Sequence, residues 1–577
     1  YLISISDREQ VASIRGRPIY VVNDVALIPL SSQAEAHAAL KQAKEARQRR
    51  VREGRAYDPE DLYDSEDLAT VSEEGSLPES PPTGHAKESA GNSHKRSTSF
   101  AEDVINKKGM YGRFADRWFS SRGWSAEGRR KQGMSSEEHL GKQKDKPALA
   151  ELTADDKPND PSMTAVGENV EDDTAAKQAE PKAAASSNQA IALLPRILRT
   201  AKIFFGSKSF FFSYEFDLSR NLTQQHGSGQ GLNLHNSFDP LFFWNRQLLK
   251  PFADAGQQAF TMPLLQGFVG QRAFALDSSH GSRRGSIVQS SIRAEDVVAL
   301  QGNEDAEEGD LKLPPAEKGG QQQFLLTTVS RRSVKRAGLR YLRRGVDAEG
   351  NVANCVETEQ ILSTPNWGDG GDKIYSLLQM RGSIPLFFSQ SPYSFKPVPV
   401  FYGSQETNAA AFKKHFQSIA SRYGKIQAAS LVDKHGTEAS IGQSYQEHAE
   451  KLNAAGGIDD KGALLEFEWF DFHAVCRGMK FENVSKLIDT LRPSLVCNGW
   501  TVEEGGGLVK RQTGVLRTNC MDCLDRTNVV QSAVARNALE QQLNELGFEI
   551  DLQTDPSTAW FNSLWADNGD AISRQYA

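Results

Sequence analysis

Apolar and polar residues alternate at the start of the chain, so Leu2–Ile5 and 19–30 read as two strands, separated by charged residues and by Gly16 and Pro18. From 33 to 189 the pattern dissolves into Glu, Lys, Ser, Ala, Gly and Pro with scattered apolar positions. Such a stretch buries too little area to offset the entropy of ordering, and a disordered insertion is expected. One island inside it differs: Phe114 and Trp118, four apart, share a helical face among Arg and Lys. It reads either as a short helix that docks on a membrane or partner, or as a sticky segment that packs on its own domain. Patterned sequence returns at Ala190. Residues 203–205 and 210–217 are aromatic strand candidates, and 242–245 precede a helix. A second low-complexity stretch, 280–322, reads as a disordered surface loop. Beyond it, 324–329 and 467–472 read as buried strands, and 408–423 and 484–491 as amphipathic helices. That alternation predicts an α/β unit.

Composition narrows the picture. The chain has 577 residues, enough for two or more folded units. Its hydrophobic fraction of 38% and mean hydropathy of −0.52 exclude a membrane-embedded body. No apolar run approaches the ~18–20 residues of a spanning helix. A net charge of −7 argues against a nucleic-acid partner and directs attention to local basic patches. Five cysteines, Cys355, Cys476, Cys497, Cys520 and Cys523, are too few for a disulfide framework and suit a reducing compartment. The chain opens on Tyr1 with no signal-peptide pattern, and its natural N-terminus is expected to lie upstream.

The chemistry concentrates in Arg517-Thr518-Asn519-Cys520-Met521-Asp522-Cys523-Leu524-Asp525-Arg526-Thr527-Asn528. Residues 514–516 read as a strand end and 529–543 as a helix. A Cys, five residues and an Arg between strand and helix N-terminus suit a phosphate cradle. Backbone N–H groups and the helix dipole would converge on an anion and favour a Cys520 thiolate. Arg526 would clamp two phosphate oxygens, and the Thr527 hydroxyl would donate to the sulfur. Three plainer readings compete: a zinc site adding His473 and Cys476, a redox pair of Cys520 with Cys523, or inert core thiols. None of the three accounts for Arg526 and Thr527 at these offsets.

Residues 517–528 resemble the signature of the Sac-domain phosphoinositide phosphatases. Similar stretches follow in family order: 210–218, 330–333, 344–347, 354–360, 381–385, 470–473 and 565–570. The resemblance covers about two-thirds of the chain. It implies an α+β / α/β architecture: an N-terminal β-rich Sac-specific domain and a catalytic α/β domain akin to Cys-based phosphatases. Here the first would be split, as 1–32 and 190–258, around the 33–189 insertion. The catalytic domain would span 259–577, interrupted by the 280–322 loop.

Matched position by position, Cys520 is the expected nucleophile, Arg526 the phosphate-binding arginine, and Asp522 and Asp525 the loop acids. Beside a phosphate dianion a carboxyl is expected to be protonated more readily, which makes either Asp a candidate general acid, Asp522 preferred. The alternative is that they brace the loop. Cys523 is either a redox partner of Cys520 or a bystander, and His473 either a general base or, as a lone His on a strand more often is, a hydrogen-bonded core residue. Asp567 and Asp570 approach the pocket or, with Trp565, form a structural lid. Met521, Cys523, Leu524, Asn528 and Arg517 are expected around the substrate. Arg331 and Arg332 open a basic run, with Lys335, Arg336, Arg340, Arg343 and Arg344, that reads as a lipid-facing surface or as solvated edges and internal ion pairs.

The resemblance thus implies hydrolysis of an inositol-ring phosphate through a phosphocysteine, without metal or other cofactor, on phosphoinositide lipids in anionic membranes. Phosphatidylinositol 4-phosphate is the expected substrate, with the 3-phosphate and the 3,5-bisphosphate as alternatives, because Met521 and its surroundings look most like the integral-membrane Sac phosphatase of the endoplasmic reticulum and Golgi. That likeness implies a place on the cytosolic face of those membranes, with an anchor beyond residue 577. A synaptojanin-like Sac domain and a lipid-binding scaffold with an inactive pocket are the alternatives.

Overall fold

The computed structural model describes residues 1–53, 180–226, 237–277, 287–289, 321–339, 342–367, 371–391, 398–478, 480–522, 524–553 and 558–576. The chain divides into two compact units, Tyr1–Phe114 with Lys202–Ala577, and Ala115–Ala201. The described residues of the second are helical. The sheet, the cores and the candidate site belong to the first.

Strands β1 (Leu2–Ile14) and β2 (Arg17–Ile28) form an antiparallel hairpin that pairs Leu2 with Ile28 and Ile14 with Arg17. Its two turn residues, Arg15 and Gly16, both have positive φ, the geometry that matches strand twist and that glycine makes cheap. Helix α1 (Gln33–Glu53) follows, inside the stretch expected to be disordered. Ala, Lys, Gln, Glu and Arg are poor core formers but strong helix formers, and hydropathy alone does not separate the two outcomes. Ser32 caps the helix, its Oγ accepting from the Glu35 N–H at 3.5 Å, and Arg47 lies 3.8 Å from Asp7 of the hairpin. Residues 54–179, with the Phe114 and Trp118 island, lie outside the described residues. Helix α2 (Glu180–Phe205) absorbs Ile203–Phe205, expected as a strand; only β3 (Phe210–Phe212) is one. Trp244 explains the difference, since it packs against both Phe205 and Phe210 at the helix-to-strand turn.

An antiparallel run continues through β4 (Leu265–Asp277), β5 (Ile287–Gln289), β6 (Gln321–Arg332), β7 (Val356–Ser363) and β8 (Lys373–Arg381). Within the expected 280–322 loop, the described residues belong to β5 and β6, and the rest lie outside the described residues. A two-residue pair, β9 (Phe388–Ser389) with β10 (Val400–Phe401), stands apart. Then helix alternates with strand: α3 (Gln405–Tyr423), β11 (Lys425–Ser430), α4 (Ala439–Ala454), β12 (Leu465–Trp469) and α5 (Val484–Asn498). The chain closes with β13 (Thr501–Glu504), β14 (Gly507–Lys510), β15 (Gly514–Asn519), α6 (Asp525–Glu545) and α7 (Ala559–Tyr576).

Among the described residues thirteen strands make one sheet, ordered β1-β2-β3-β4-β6-β7-β8-β15-β11-β12, with β5 beside β4 and β13–β14 beside β8. The β1-to-β8 part is antiparallel, whereas β8–β15, β15–β11 and β11–β12 are parallel. This is the expected mixed architecture, a β-rich N-terminal region continuing into an α/β core. Every residue of β15 is buried, as a parallel strand covered on both faces requires. Val515 joins the α3–α4 core with Phe412, Phe416 and Tyr445. Its neighbour Leu516 points the other way, joining the α5–α6 core with Leu487, Leu491 and Val534. The register pairs Ser430 of β11 with both Trp469 of β12 and Asn519 of β15. The carboxyl ends of three parallel strands therefore come level, the usual position of a ligand crevice in such sheets.

Candidate active site

The chain leaves β15 at Asn519, turns through 520–524 and enters α6 at Asp525. Cys520 is 1% exposed. Its Sγ accepts from the Thr527 hydroxyl at 3.4 Å and lies 3.9 Å from Asp522 Oδ1. Thr527 is itself buried in the first turn of α6, so strand end and helix start are tied through the sulfur. Cys523 lies outside the described residues. Asp525 is exposed at the helix start, and Asp522 is half-buried.

Buried arginines hold the turn from behind. Arg344 donates to the Met521 carbonyl at 3.0 Å and Arg381 to the Leu524 carbonyl at 2.6 Å. Arg517 points into the protein, donating to Asn519 Oδ1 at 3.0 Å and to the Ser383 carbonyl. It also lies 3.4 Å from Nε2 of buried His415, whose Nδ1 is 2.9 Å from the Gly350 carbonyl. Nδ1–H therefore donates to Gly350 while Nε2 accepts from Arg517. Burial first, then the Arg517 charge, push the His415 pKa down to about 3.

Met521 and Leu524 pack their side chains into two cores, and Asn528 donates to the Trp565 carbonyl at 2.9 Å and accepts from Asn568 at 3.3 Å. Of the residues expected around the substrate, Arg517, Met521, Leu524 and Asn528 thus brace the loop with their side chains. Trp565 is buried in α7, its Nε1 donating to Gln360 at 3.0 Å, and Asp567 pairs with Arg272 at 3.0 Å.

Arg331 and Arg332 are corrected outright as lipid-facing residues: they are 1% and 5% exposed. Arg331 bonds Glu357 at 2.9 Å and Glu359 at 2.7 Å on the next strand, because β6 and β7 pair in a register that puts opposite charges side by side. Arg332 lies 4.6 Å from the Tyr576 ring centroid and donates to the Gly338 carbonyl at 3.1 Å. Lys335 and Arg343 are exposed.

Arg526 brings the neighbouring loop into the site. Its Nη1 donates to Glu438 Oε2 at 2.7 Å and to the Leu431 carbonyl at 3.1 Å, and Nη2 donates to Glu438 Oε1 at 2.7 Å. Asp433 Oδ1 is 3.5 Å from Nη1. Burial is the largest single influence and opposes the charge. The Glu438 bonds with the charges of Cys520, Glu438 and Asp522 outweigh it and hold the guanidinium well above its ordinary pKa. His473 is also displaced from its expected place. It sits in a one-turn helix after β12, its side chain 65% exposed, with Nδ1 2.7 Å from Asp433 Oδ1.

Asp433 and Glu438 escape a reading of the sequence because they lie 93 and 88 residues before Arg526. The available signal is the charged turn Asp433-Lys434-His435-Gly436-Thr437-Glu438 directly after an apolar strand, where a parallel sheet exposes its carboxyl edge. The site thus offers a buried thiol, a hydroxyl on its sulfur, a carboxyl 3.9 Å away and an arginine fixed by a second loop.

Residues 1–477 match the family model described as the SacI homology domain. The human phosphatidylinositide phosphatase SAC2 is 36% identical over 386 residues, which is 65% of this chain and 31% of that protein. Its mouse counterpart is 35% identical over 386 residues, with the same shares. Phosphatidylinositol-3-phosphatase SAC1 of Drosophila melanogaster is 33% identical over 391 residues, 66% of this chain and 56% of that protein. The chain therefore spans less than a third of the SAC2 relatives. These matches correct the expected special likeness to the integral-membrane phosphatase of the endoplasmic reticulum and Golgi, because the SAC2 proteins match at higher identity than SAC1. Among the described residues no helix is long and apolar enough to cross a membrane. With the likeness that suggested it overturned, the anchored endoplasmic reticulum/Golgi placement is corrected too.

Proposed function

Because the chain belongs to the SacI homology domain family, we propose that it removes a phosphate from the inositol ring of a phosphoinositide, with Cys520 as nucleophile. The observation that carries this reading is the strand–turn–helix that puts the Cys520 sulfur 3.4 Å from the Thr527 hydroxyl, next to an arginine at the start of α6. The names of the SAC2 and SAC1 relatives, phosphatases of phosphatidylinositides, support it.

In this reading the Cys520 thiolate attacks phosphorus; an S–P bond forms as the P–O bond to the ring breaks. Asp522 gives its proton to the departing ring oxygen, while Arg526 and the loop N–H groups take up the charge on the phosphoryl oxygens. Water then attacks the phosphocysteine, giving up a proton to Asp522, and the Thr527 hydroxyl donates to the leaving sulfur. Asp525, at the mouth of the turn, is the second loop acid. No step calls on a metal or other cofactor.

The finer proposal is phosphatidylinositol 4-phosphate in an anionic membrane. Residues 520–526 contain no Lys, which suits a singly phosphorylated headgroup; the 3-phosphate, named in the SAC1 relative, is its competitor. We also retain the division into an N-terminal domain of 1–32 and 190–258 and a catalytic domain of 259–577. The test is phosphate release from short-chain versions of all seven phosphoinositides by the wild type and by Cys520→Ser. Release from at least one lipid, highest for the 4-phosphate and lost in Cys520→Ser with folding intact, is expected. Inactivity on all seven overturns the reaction, turnover by Cys520→Ser overturns the nucleophile, and a higher rate on the 3-phosphate overturns the ring position.

A further inference from the structure

Resting on the reading of Arg526 as the phosphate-binding arginine, we infer that Glu438 is its positioning residue, fixing the guanidinium so that one edge stays available for two oxygens of an incoming phosphate.

The placement follows from the sheet. β11 and β15 run parallel with Ser430 opposite Asn519, so the loops leaving them rise side by side. The Leu431 N–H donates to the Asn519 carbonyl at 2.8 Å, which keeps the two loops together at their base. From there the β11 loop reaches Glu438, whose Oε2 also accepts from the Asp433 N–H at 3.0 Å. The carboxylate is thus held by its own loop before it meets Arg526.

A guanidinium has five N–H donors in a rigid plane. Both hydrogens of Nη1 are used, by Glu438 and by the Leu431 carbonyl, and one of Nη2 is used by Glu438. What remains is Nε–H and the second Nη2–H, which lie along one edge and match two phosphate oxygens as a fork. Among the described residues no hydrogen bond involves Nε. Glu438 therefore takes the end of the guanidinium and leaves its side. An arginine locked this way spends no rotamer freedom when phosphate arrives and presents a charge already oriented for the transition state.

The experiment uses the full chain and the variants Glu438→Gln, Glu438→Ala and Arg526→Lys, assayed on short-chain phosphatidylinositol 4-phosphate, with orthovanadate affinity measured in parallel. Glu438→Gln keeps the shape and loses the charge; it is expected to lower kcat about tenfold, and Glu438→Ala about a hundredfold, with smaller changes in KM. Orthovanadate affinity falls about tenfold in Glu438→Gln. The double variant Arg526→Lys with Glu438→Gln loses little beyond Arg526→Lys alone, because Glu438 acts through the arginine. Unchanged kcat and orthovanadate affinity in Glu438→Gln overturn the inference, and so do additive losses in the double variant. A rise in kcat/KM on removing Glu438 overturns it as well, since the carboxylate would then be a blocker of the phosphate position. If Glu438→Ala fails to fold, the folded Glu438→Gln protein decides. If the wild type releases phosphate from no phosphoinositide, the reaction reading falls, and orthovanadate affinity in wild type against Glu438→Gln still decides the role of Glu438.

Discussion

Replacing Arg331 with Met separates an interior ion cluster from a lipid contact. Arg331 bonds Glu357 and Glu359 at 2.9 and 2.7 Å, and the carbonyls of Leu218 and Arg220 at 2.7 and 3.0 Å. Both carboxylates are fully buried. Each charge-assisted bond is worth about 1.5–3 kcal/mol, and Met, of similar length, restores none of them. The carboxylates keep other partners: Asn221 at 3.1 Å and the Tyr423 hydroxyl on Glu357, the Leu222 N–H at 2.9 Å and Ser376 at 2.7 Å on Glu359. Those partners confine the loss to about 3–5 kcal/mol, the usual cost of leaving a buried charge without its counter-ion. For a chain of this size that lowers Tm by about 3–5 °C. Urea unfolding followed by tryptophan fluorescence measures the loss, and sedimentation with anionic vesicles measures lipid binding of the folded fraction. The destabilisation is expected to persist in high salt, because buried pairs are weakly screened, with vesicle binding unchanged. Adding Glu357→Gln and Glu359→Gln should recover part of the stability. An Arg331→Met protein as stable as wild type but weaker on vesicles would place Arg331 at the lipid surface and not in an interior ion cluster.

Two further outcomes follow from the site. His415, with a pKa of about 3 in the folded chain against an ordinary 6.5, lets the unfolded chain bind the extra proton between those values. Its contribution is complete above pH 6.5 and is lost as pH falls toward 3, about 2 kcal/mol of it by pH 5. Urea midpoints at pH 8 and pH 5 check this, and loss of that dependence in His415→Gln is the expected control; an unchanged pH dependence in that variant counts against it. Asp522→Asn should lower kcat on phosphatidylinositol 4-phosphate about a hundredfold but slow an aryl phosphate far less, because a phenolate leaves without a proton donor. Equal losses on both substrates would assign Asp522 to bracing the turn.

Much of the fold was legible along the chain. The strand β1, the helices α3, α5 and α6, and the strand before Cys520 all carry their own periodicity, and the structure extends them; β2 keeps the expected length but lies two residues nearer the N-terminus than 19–30. Two departures share a cause. Residues 33–53 look like disorder and 203–205 look like strand when read alone, because composition reports solubility and β-propensity. Neither quantity sees the Ser32 cap or the Trp244 ring, which decide the local conformation.

At the site the division is sharper. Cys520, Arg526 and Thr527 lie within eight residues, so strand end, turn and first helical turn set their spacing, and a phosphate-type cradle is readable from local sequence alone. What each charge is for was decided only by tertiary structure. Arg331 and Lys335 stand four residues apart in one basic run, yet the first is fully buried between two carboxylates of β7 and the second faces solvent. Glu438 reaches Arg526 only because β11 and β15 are parallel neighbours. A charge's role depends on its counter-ion and its burial, and both come from strand order and register, which bring together residues far apart in the chain.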